Sequence, residues 1–312
     1  MDQLATRAAP TAAARRRGFA ITDYAWKWIL LLPAVIVVAG LLIFPILMTL
    51  YVSFTDWHLF AYGRPIRFVG LDNWFKVLSD QSFRIPARNT IVFVLGSVPI
   101  TYLVGLTVAL ALNNINVGRR FFRVFFLLPI MISPVAVSVV IGRMLFNENV
   151  GPINDILWRL GLPTVSWLSN PVMAMTSLIL IDVWHHSAFM ILILTAGVQS
   201  LPQDPYEAAT VDGASDWQMF RYITFPLLVP ISVTALLIRS LEAFKVVDIV
   251  KVVTGGGPGQ ATESITLAVY DMGVKGGDIA HGAVAAYSLF FIMAIASGAL
   301  VLGTRHWVKK AS

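Results

Sequence analysis

The chain contains no cysteine, and only 13% of its 312 residues are charged. The absence of cysteine excludes disulfide bonds, thiolate metal sites and cysteine nucleophiles. The sequence also lacks the phosphate-binding motif Gly-x-x-x-x-Gly-Lys-Ser/Thr, so we do not expect this chain to hydrolyse ATP itself. It shows no internal repeat of the kind found in many secondary transporters.

Apolar residues are abundant instead. They make up 57% of the chain, and the mean hydropathy is +0.75. Soluble domains have roughly half apolar and a quarter charged residues, so this composition predicts a polytopic membrane protein. The net charge of +6 does not indicate a nucleic-acid partner, because the basic residues cluster beside apolar runs, as in a membrane topology signal.

Six apolar runs are long enough to cross a bilayer, which takes about 20 residues of α-helix. We therefore predict an all-α membrane protein with six transmembrane helices. The predicted spans are 29–54, 89–112, 121–146, 172–198, 225–247 and 282–303. They belong to one transmembrane domain over 26–312, preceded by a disordered tail over 1–25. The first run is too long for a signal peptide and lacks a small-residue cleavage site, so it is predicted to stay uncleaved.

Basic residues indicate which side of the membrane each loop occupies. The turn at 118–123 contains three arginines, and the tail at 305–310 is also basic. By the positive-inside rule, both termini are predicted to be cytoplasmic. The loops near 55–88, 147–171 and 248–281 are then outside. They offer surface for docking a partner, or they simply cap helix ends.

One cytoplasmic segment, 203–224, is acidic and rich in helix signals. Asp204 as N-cap, Pro205 at the first helical position and Glu207 three residues after the cap predict a helix of about two turns. Gly213 can end that helix in the left-handed conformation. Ser215 with Gln218 then predicts a second capping box. The expected form is a helix, a glycine elbow and a second helix leading into the fifth span. Such an elbow suits docking to a soluble partner, although a connector without a partner would look the same.

Two groups of polar side chains fall within or at the ends of the apolar runs, where their cost makes them functional candidates. The first group, in the fourth span, is Asp182, Trp184, His185 and His186. Trp184 could stack on a sugar ring while Asp182 and His185 bind hydroxyl groups; packing against a neighbouring span is the alternative. Adjacent histidines on a helix point about 100° apart, which disfavours a shared metal ion.

The second group lies near the outer end of the fifth span and is spaced by threes: Arg239, Glu242, Lys245 and Asp248. This spacing predicts an ion-pair ladder facing a water-filled vestibule, or direct contact with substrate. Tyr287 and Ser288 in the sixth span could line the same cavity.

The acidic segment resembles the signature loop of permease subunits of bacterial binding-protein-dependent ABC importers. The matching positions are Glu207, Ala208, Ala209, Asp212, Gly213, Ala214, Phe220, Ile223, Pro226 and Pro230. Phe225 stands where leucine is usual, and Val247 where a nearby motif usually has phenylalanine. Residues 182–184, 196–202, 244–248 and 253–259 are similar to carbohydrate permeases of the maltose, trehalose, polyol and glycerol-3-phosphate type. The chain looks like the first of the two permeases in such systems.

The resemblance implies a type I importer permease fold, with a cytoplasmic coupling helix that docks on a separate ATPase. It implies a second permease subunit, two ATPase copies that bind ATP and Mg²⁺, and an extracytoplasmic substrate-binding protein. No cofactor or metal is implied for this chain, which would lie in the bacterial cytoplasmic membrane. The glycine turn Gly255, Gly256, Gly257 and Pro258 is the candidate docking site for the binding protein.

Two other classes of protein compete with this interpretation. An ion-coupled transporter would use the intramembrane charges to carry protons or sodium, without an ATPase. A membrane enzyme would use His185 and Asp182, but the sequence offers no nucleophile or metal constellation to support it.

Overall fold

The computed structural model describes residues 20–115 and 117–311. Most of the predicted tail at 1–25 therefore lies outside the described residues. Within the described ranges the regular elements are helices, together with one isolated antiparallel bridge between Thr55 and Phe68. Contacts divide the chain into two units, one ending at Tyr51 and one beginning at Val52. All sites described below belong to the second unit.

We label the main helices in chain order, and for the helices of membrane-spanning length and the bent pair that follows α3 we count short 3-10 and π-helical turns as part of the helix. Their bounds are α1 at Leu30–Val52, α2 at Asp72–Ser79, α3 at Gln81–Asn114, α4 at Arg119–Met131, α5 at Pro134–Leu145, α6 at Pro152–Arg159, α7 at Pro171–Gln199, α8 at Asp204–Val211, α9 at Asp216–Phe244, α10 at Ile265–Val269 and α11 at Ile279–Ala311. The helix containing α1 begins at Ala20.

Five of these helices are long and apolar enough to span a membrane, among the residues that the structure describes: α1, α3, α7, α9 and the part of α11 at Ile279–Arg305. They coincide with five of the predicted runs. Helix α3 begins at Gln81 rather than near 89, because Asp80 caps it by accepting a hydrogen bond from the Ser82 N–H at 2.9 Å. Hydropathy marks where the chain is apolar, whereas the cap decides where the helix starts.

The third predicted run is not one helix. Helices α4 and α5 meet at a break of two residues and differ in direction by 92°. The prediction of a single helix over 121–146 is therefore wrong, and the chain has up to six spans if this bent pair counts as one. The cause is local: Pro129 and Pro134 lack amide hydrogens, and Pro134 holds Ser133 in an extended conformation, with ψ of 138°.

The core of the second unit lies where α3 packs along α7 and where α9 packs on α11. Phe93, Leu178 and Val284 are almost fully buried there. Gly105 allows α3 and α7 to pack closely, since a Cβ atom at this position would lie 2.4 Å from the Met190 side chain. This packing sets the rotation of α7 and so decides which of its polar side chains face inward.

Candidate functional site

The acidic segment begins with α8, which ends at a glycine as predicted. Gly213 has a φ of +71°. The Ala214 N–H donates to the Ala209 carbonyl at 2.9 Å, and the Gly213 N–H donates to the Thr210 carbonyl at 3.1 Å. This pair of hydrogen bonds is a Schellman motif, which satisfies carbonyls at the helix end and turns the chain sharply.

The start of α8 differs from the prediction. Asp204 is the first helical residue rather than the N-cap, and the capping position is Gln203, whose side chain makes no capping hydrogen bond. Gln203 already has helical backbone angles, and its carbonyl accepts from the N–H groups of Tyr206 and Glu207. The predicted capping box of Asp204 and Glu207 is therefore wrong. Both carboxylates still lie in the first turn, where the helix dipole favours them.

The second capping box is confirmed. Ser215 Oγ accepts a hydrogen bond from the Gln218 N–H at 3.4 Å, and Gln218 Oε1 accepts one from the Ser215 N–H at 2.8 Å. Helix α9 starts directly after this cap and continues without interruption to Phe244. It passes through a π-helical turn at Phe220–Thr224. The elbow is therefore rigidly continuous with the fifth predicted span.

A hydrogen bond between side chains holds the two arms of the elbow together. Tyr206 on α8 pairs with Thr224 on α9, with 2.9 Å between their hydroxyl oxygens. Thr224 is buried. Sequence reasoning missed this pair, since nothing in the spacing of a tyrosine and a threonine 18 residues apart signals contact. With the Schellman turn, it makes the elbow a fixed shape.

The elbow presents a concave surface. A cavity of about 310 Å³ is lined by Ala209, Asp212, Gly213, Ala214, Gln218, Met219, Tyr222 and Ile223. Glu207, Ala208 and Asp212 are exposed, whereas Phe220 and Pro226 are half-buried. In the described part of the chain, neither Glu207 nor Asp212 forms an ion pair. Their carboxylates are therefore available to pair with basic groups of another protein.

The intramembrane charges form a cluster that joins three helices. Arg239 on α9 is fully buried; its Nη2 donates to a carboxylate oxygen of Asp182 on α7, and lies 3.3 Å from Ser97 Oγ on α3. The other Asp182 oxygen lies 3.0 Å from His186 Nδ1. The two groups that the sequence showed as separate are thus joined by an ion pair.

The predicted ladder along the fifth span is wrong at both ends. Arg239 turns inward to Asp182, so Glu242 pairs with Lys245 alone, at 3.0 Å, and both side chains are about half exposed. Helix α9 ends at Phe244, so Asp248 is no longer in register with the helical spacing. Asp248 is exposed and forms no ion pair with another described residue.

His185 contacts the backbone at the break between α4 and α5. It is buried, and its Nε2 lies 3.1 Å from the Ile132 carbonyl oxygen, where α4 has ended. A carbonyl at a helix end needs such a donor, since it has no partner within its own helix. Trp184 points elsewhere, into an apolar cavity of about 540 Å³ that Phe125 and Leu180 also line. Trp184 and His185 therefore line different cavities, since consecutive helical positions diverge by about 100°. Of the two alternatives for Trp184, packing among apolar side chains agrees better with this position.

A smaller cavity, of about 130 Å³, brings together most of the remaining polar candidates. It is lined by Pro134, Val137, Asp182, His185, His186, Glu242, Lys245, Val246, Val247, Asp248 and Ile249. Tyr287 and Ser288 are not among its lining residues. Ser288 is buried and donates to the Val284 carbonyl of its own helix at 2.8 Å. The ring of Tyr287 lies beside those of Phe290 and Phe291.

Hydrogen bonds hold the glycine turn at 255–258 in a defined conformation. Gly255 and Gly256 have φ values of +64° and +92°. The Thr262 hydroxyl donates to the Gly257 carbonyl at 2.6 Å, and the Thr262 N–H donates to the Gly256 carbonyl at 3.0 Å. Close by, the Asn89 side-chain amide on α3 donates to the Gln260 carbonyl at 2.7 Å. The turn is thereby held against the start of the second predicted span.

Several apolar helices of membrane-spanning length, a polar cluster at their core and an exposed helical elbow are the features of a multi-pass membrane protein. Among the described residues, no three His, Cys, Asp or Glu side chains lie close enough together to hold a metal ion.

Comparison with known proteins places this chain in a family. Residues 101–305 match the model of the binding-protein-dependent transport system inner membrane component. The trehalose/maltose transport system permease protein MalF of Thermococcus litoralis is 39% identical over 78% of this chain and 82% of its own length. The sulfoquinovosyl glycerol transport system permease protein SmoG of Agrobacterium fabrum is 34% identical over 84% of each chain.

The fold has relatives among solved structures. A bacterial alginate ABC transporter, crystallised in complex with an alginate pentasaccharide-bound periplasmic protein, contains a chain that superposes with a TM-score of 0.80. That chain is 22% identical, and the match covers 93% of this chain and 97% of that one. A second crystal structure of a bacterial ABC transporter that imports alginate gives a TM-score of 0.74.

The chain therefore belongs to the family of binding-protein-dependent transport system inner membrane components. It is a permease subunit of an ATP-driven ABC importer, with the type I importer fold predicted from the sequence. This assignment decides against the alternative of an ion-coupled carrier that works without an ATPase.

Proposed function

We propose that this subunit carries a sugar or a related carbohydrate or polyol across the bacterial cytoplasmic membrane by alternating access. The relatives named above transport trehalose and maltose or sulfoquinovosyl glycerol, according to their names, which supports a carbohydrate class without selecting one compound. Both termini would face the cytoplasm, in agreement with the basic turn at 118–123.

The elbow at 204–224 would dock on the ATPase. The continuity of α9 from Asp216 to Phe244 carries this proposal, because a displacement of the elbow moves the helix that holds Arg239. Glu207 and Asp212 would pair with basic groups in the ATPase cleft, and Ala208, Ala209, Gly213 and Ala214 would permit close approach. Phe220 and Pro226 would join the elbow to the span.

Full assembly would need a second permease to complete the path, two ATPase subunits on the cytoplasmic side and a substrate-binding protein outside. ATP and Mg²⁺ would bind to the ATPase subunits, and this chain would have no catalytic role. The rigid turn at Gly255, Gly256, Gly257 and Pro258 would contact the binding protein.

The 130 Å³ cavity would form part of the substrate path in one conformation. Its carboxylates, imidazoles and ammonium group suit the hydroxyl groups of a carbohydrate. Within it, Asp182 and His185 already bind protein groups, so Glu242, Lys245 and Asp248 have more hydrogen-bonding capacity left for substrate. Tyr287 and Ser288 would reach substrate only in another conformation, and Trp184 would stack on a sugar only if its own cavity opened to the path.

Reconstitution tests the proposal. The complex of this chain with its second permease and ATPase, placed in liposomes with the binding protein, should accumulate one member of a carbohydrate panel when ATP is supplied. Glu207→Ala should abolish uptake while leaving membrane insertion intact, with Asp155→Ala as a control carboxylate remote from the elbow. Wild-type uptake by the Glu207 variant would contradict the docking role.

A further inference from the structure

A small polar cavity lies between α4 and α7, near the end of the bundle where the elbow begins. It has a volume of about 90 Å³, and Arg123, Thr195 and Gln199 contribute its polar groups. Leu127 and Leu192 are among its apolar walls. None of the functions discussed above uses this cavity, and a volume of this size exceeds that of a single water molecule.

The hydroxyl group of Thr195 lacks a hydrogen-bond partner that a ligand in the cavity could supply. Thr195 is 5% exposed, and its Oγ1 is buried without a hydrogen-bond partner. A helical threonine normally satisfies itself by donating to the carbonyl four residues earlier, as Thr176 does to Val172 on the same helix, at 2.8 Å. A buried hydroxyl left unpaired costs about 1–3 kcal/mol, so a partner in the cavity would remove a real penalty.

The charge around the cavity is positive. The amide of Gln199, in the orientation that satisfies its neighbours, accepts from Arg119 Nη2 at 2.8 Å and from Arg123 Nη2 at 3.0 Å. Arg119 Nε is buried and has no partner. Neither arginine forms an ion pair with any described carboxylate. Arg119 Nη2 also donates to Asn113 Oδ1, at 3.3 Å. Two guanidinium groups therefore converge on Gln199, and the Nε of Arg119 remains a donor without a partner.

The position of the cavity indicates what kind of anion fits. Gln199 is the last residue of α7, and Thr195 lies four residues, or about 6 Å, inside it. Because α7 has 29 residues and about 20 are enough to cross the hydrocarbon core, the end of α7 is expected near the lipid headgroups. Leu192, which lines the cavity, is 49% exposed, so an acyl chain has apolar surface to cover beside it.

We propose that this cavity binds the phosphate of an anionic phospholipid. Arg123 lines the cavity and donates to the phosphate oxygens, and Arg119 approaches from beside it through its contact with Gln199. The Thr195 hydroxyl donates a further hydrogen bond, and the acyl chains lie along the exposed apolar surface of α4 and α7. Arginine suits this role because its planar fork matches the geometry of phosphate oxygens. A lipid bound here would hold α4, the first half of the bent third run, against α7, which leads into the elbow.

Native mass spectrometry of the complete transporter complex tests the proposal. The complex is purified from nanodiscs that contain phosphatidylglycerol and phosphatidylcholine, and the lipids retained per complex are counted. The wild type should retain phosphatidylglycerol in preference to phosphatidylcholine. Arg119→Gln and Arg123→Gln should each reduce this retention about fivefold, which corresponds to the ~1 kcal/mol contributed by a basic residue at a membrane surface.

Arg120→Gln is the matched control, because Arg120 is an exposed neighbour on the same helix that neither lines the cavity nor is a partner of Gln199. It should retain phosphatidylglycerol like the wild type. Thr195→Val, nearly isosteric and uncharged, should also weaken retention, and it keeps the test decisive if an arginine variant fails to assemble. Equal losses in the Arg120 and Arg123 variants would overturn the proposal. So would displacement of the lipid by millimolar inorganic phosphate, which would identify a site for free anions.

Discussion

Arg239 and Asp182 form a buried ion pair that fastens the fifth predicted span to the fourth. The arginine is fully buried and the aspartate is 2% exposed, and Ser97 on the second predicted span lies beside them. Since α9 is also the helix that extends into the elbow, the pair lies on the helix that would transmit a displacement of the elbow to the other spans.

Removing one member of the pair should destabilise the subunit strongly. Arg239→Gln leaves a buried carboxylate without its counter-charge, and breaking a buried pair in this way costs about 3–5 kcal/mol. The yield and the melting temperature of the purified complex should both fall. The double variant Asp182→Leu with Arg239→Leu should recover much of the loss, because no charge then remains buried.

Lys245→Gln provides the control for that experiment. Its ion pair with Glu242 is about half exposed, and exposed pairs contribute only about 0–1 kcal/mol. Little change in melting temperature is therefore expected. An Arg239 variant as stable as the Lys245 variant would show that the buried pair does not hold the spans together.

The glycine at the elbow should tolerate side chains poorly for conformational reasons alone. A Cβ atom on Gly213 would meet nothing within 4 Å, but its φ of +71° is unfavourable for other residues. Gly213→Ala should therefore cost about 1–2 kcal/mol locally and lower ATP-driven uptake. Gly213→Asn should be milder, because asparagine tolerates the left-handed region.

Gly298→Ala is the matched control, since Gly298 lies within helix α11 and also has open space around it. It should transport like the wild type. If Gly213→Ala matched it in both uptake and ATPase stimulation, the left-handed turn would not be required for coupling.

The hydrogen bond between Tyr206 and Thr224 should contribute to coupling through the rigidity of the elbow. Tyr206→Phe removes the hydroxyl group while keeping the ring, at a cost of about 0.5–1.5 kcal/mol. We expect ATP hydrolysis to continue while less substrate is moved per ATP. Tyr62→Phe, at a tyrosine that is 88% exposed and does not line the elbow cavity, is the control.

A double-mutant cycle with Thr224→Val separates this effect from unrelated losses. The two substitutions should be less than additive in the ratio of transport to ATP hydrolysis, because either one breaks the same bond. Strict additivity would mean that the two hydroxyl groups act independently.

Glu148 should make the protein less stable at acid pH. Burial alone would raise the pKa of Glu148, but hydrogen bonds from the Leu168 and Ser169 N–H groups and from the Ser169 hydroxyl outweigh it and hold this pKa below its usual value. A lowered folded-state pKa means that the stabilisation is present above the unfolded-state pKa, and is lost as the pH falls through the folded-state value.

Melting curves of the wild type and Glu148→Gln between neutral and acid pH check this prediction. The variant should melt at a lower temperature near neutrality, and the difference should shrink below about pH 4, where a glutamate of ordinary pKa is protonated. A difference between the two proteins that stayed constant over the whole range would contradict it.

Hydropathy and local signals were enough to place most helices of this chain. Five runs matched single helices because a bilayer demands about 20 apolar residues per span, whatever those residues pack against. Gly213 and the Ser215–Gln218 capping box were predictable for a similar reason: their hydrogen bonds stay within a few residues. The segment that contains them also resembles the permease signature loop, and the family match confirmed that resemblance.

The partners of the buried polar side chains were decided by tertiary structure alone. Arg239 had carboxylates at helical spacing on its own helix, yet it pairs with Asp182, 57 residues away. Trp184 and His185 are adjacent in sequence, but they face different surroundings. Such choices depend on how each helix is rotated about its axis, and that rotation is set by packing such as the contact of Gly105 with Met190. The sequence by itself determined which segments enter the membrane, and the packing between helices decided which side chains meet there.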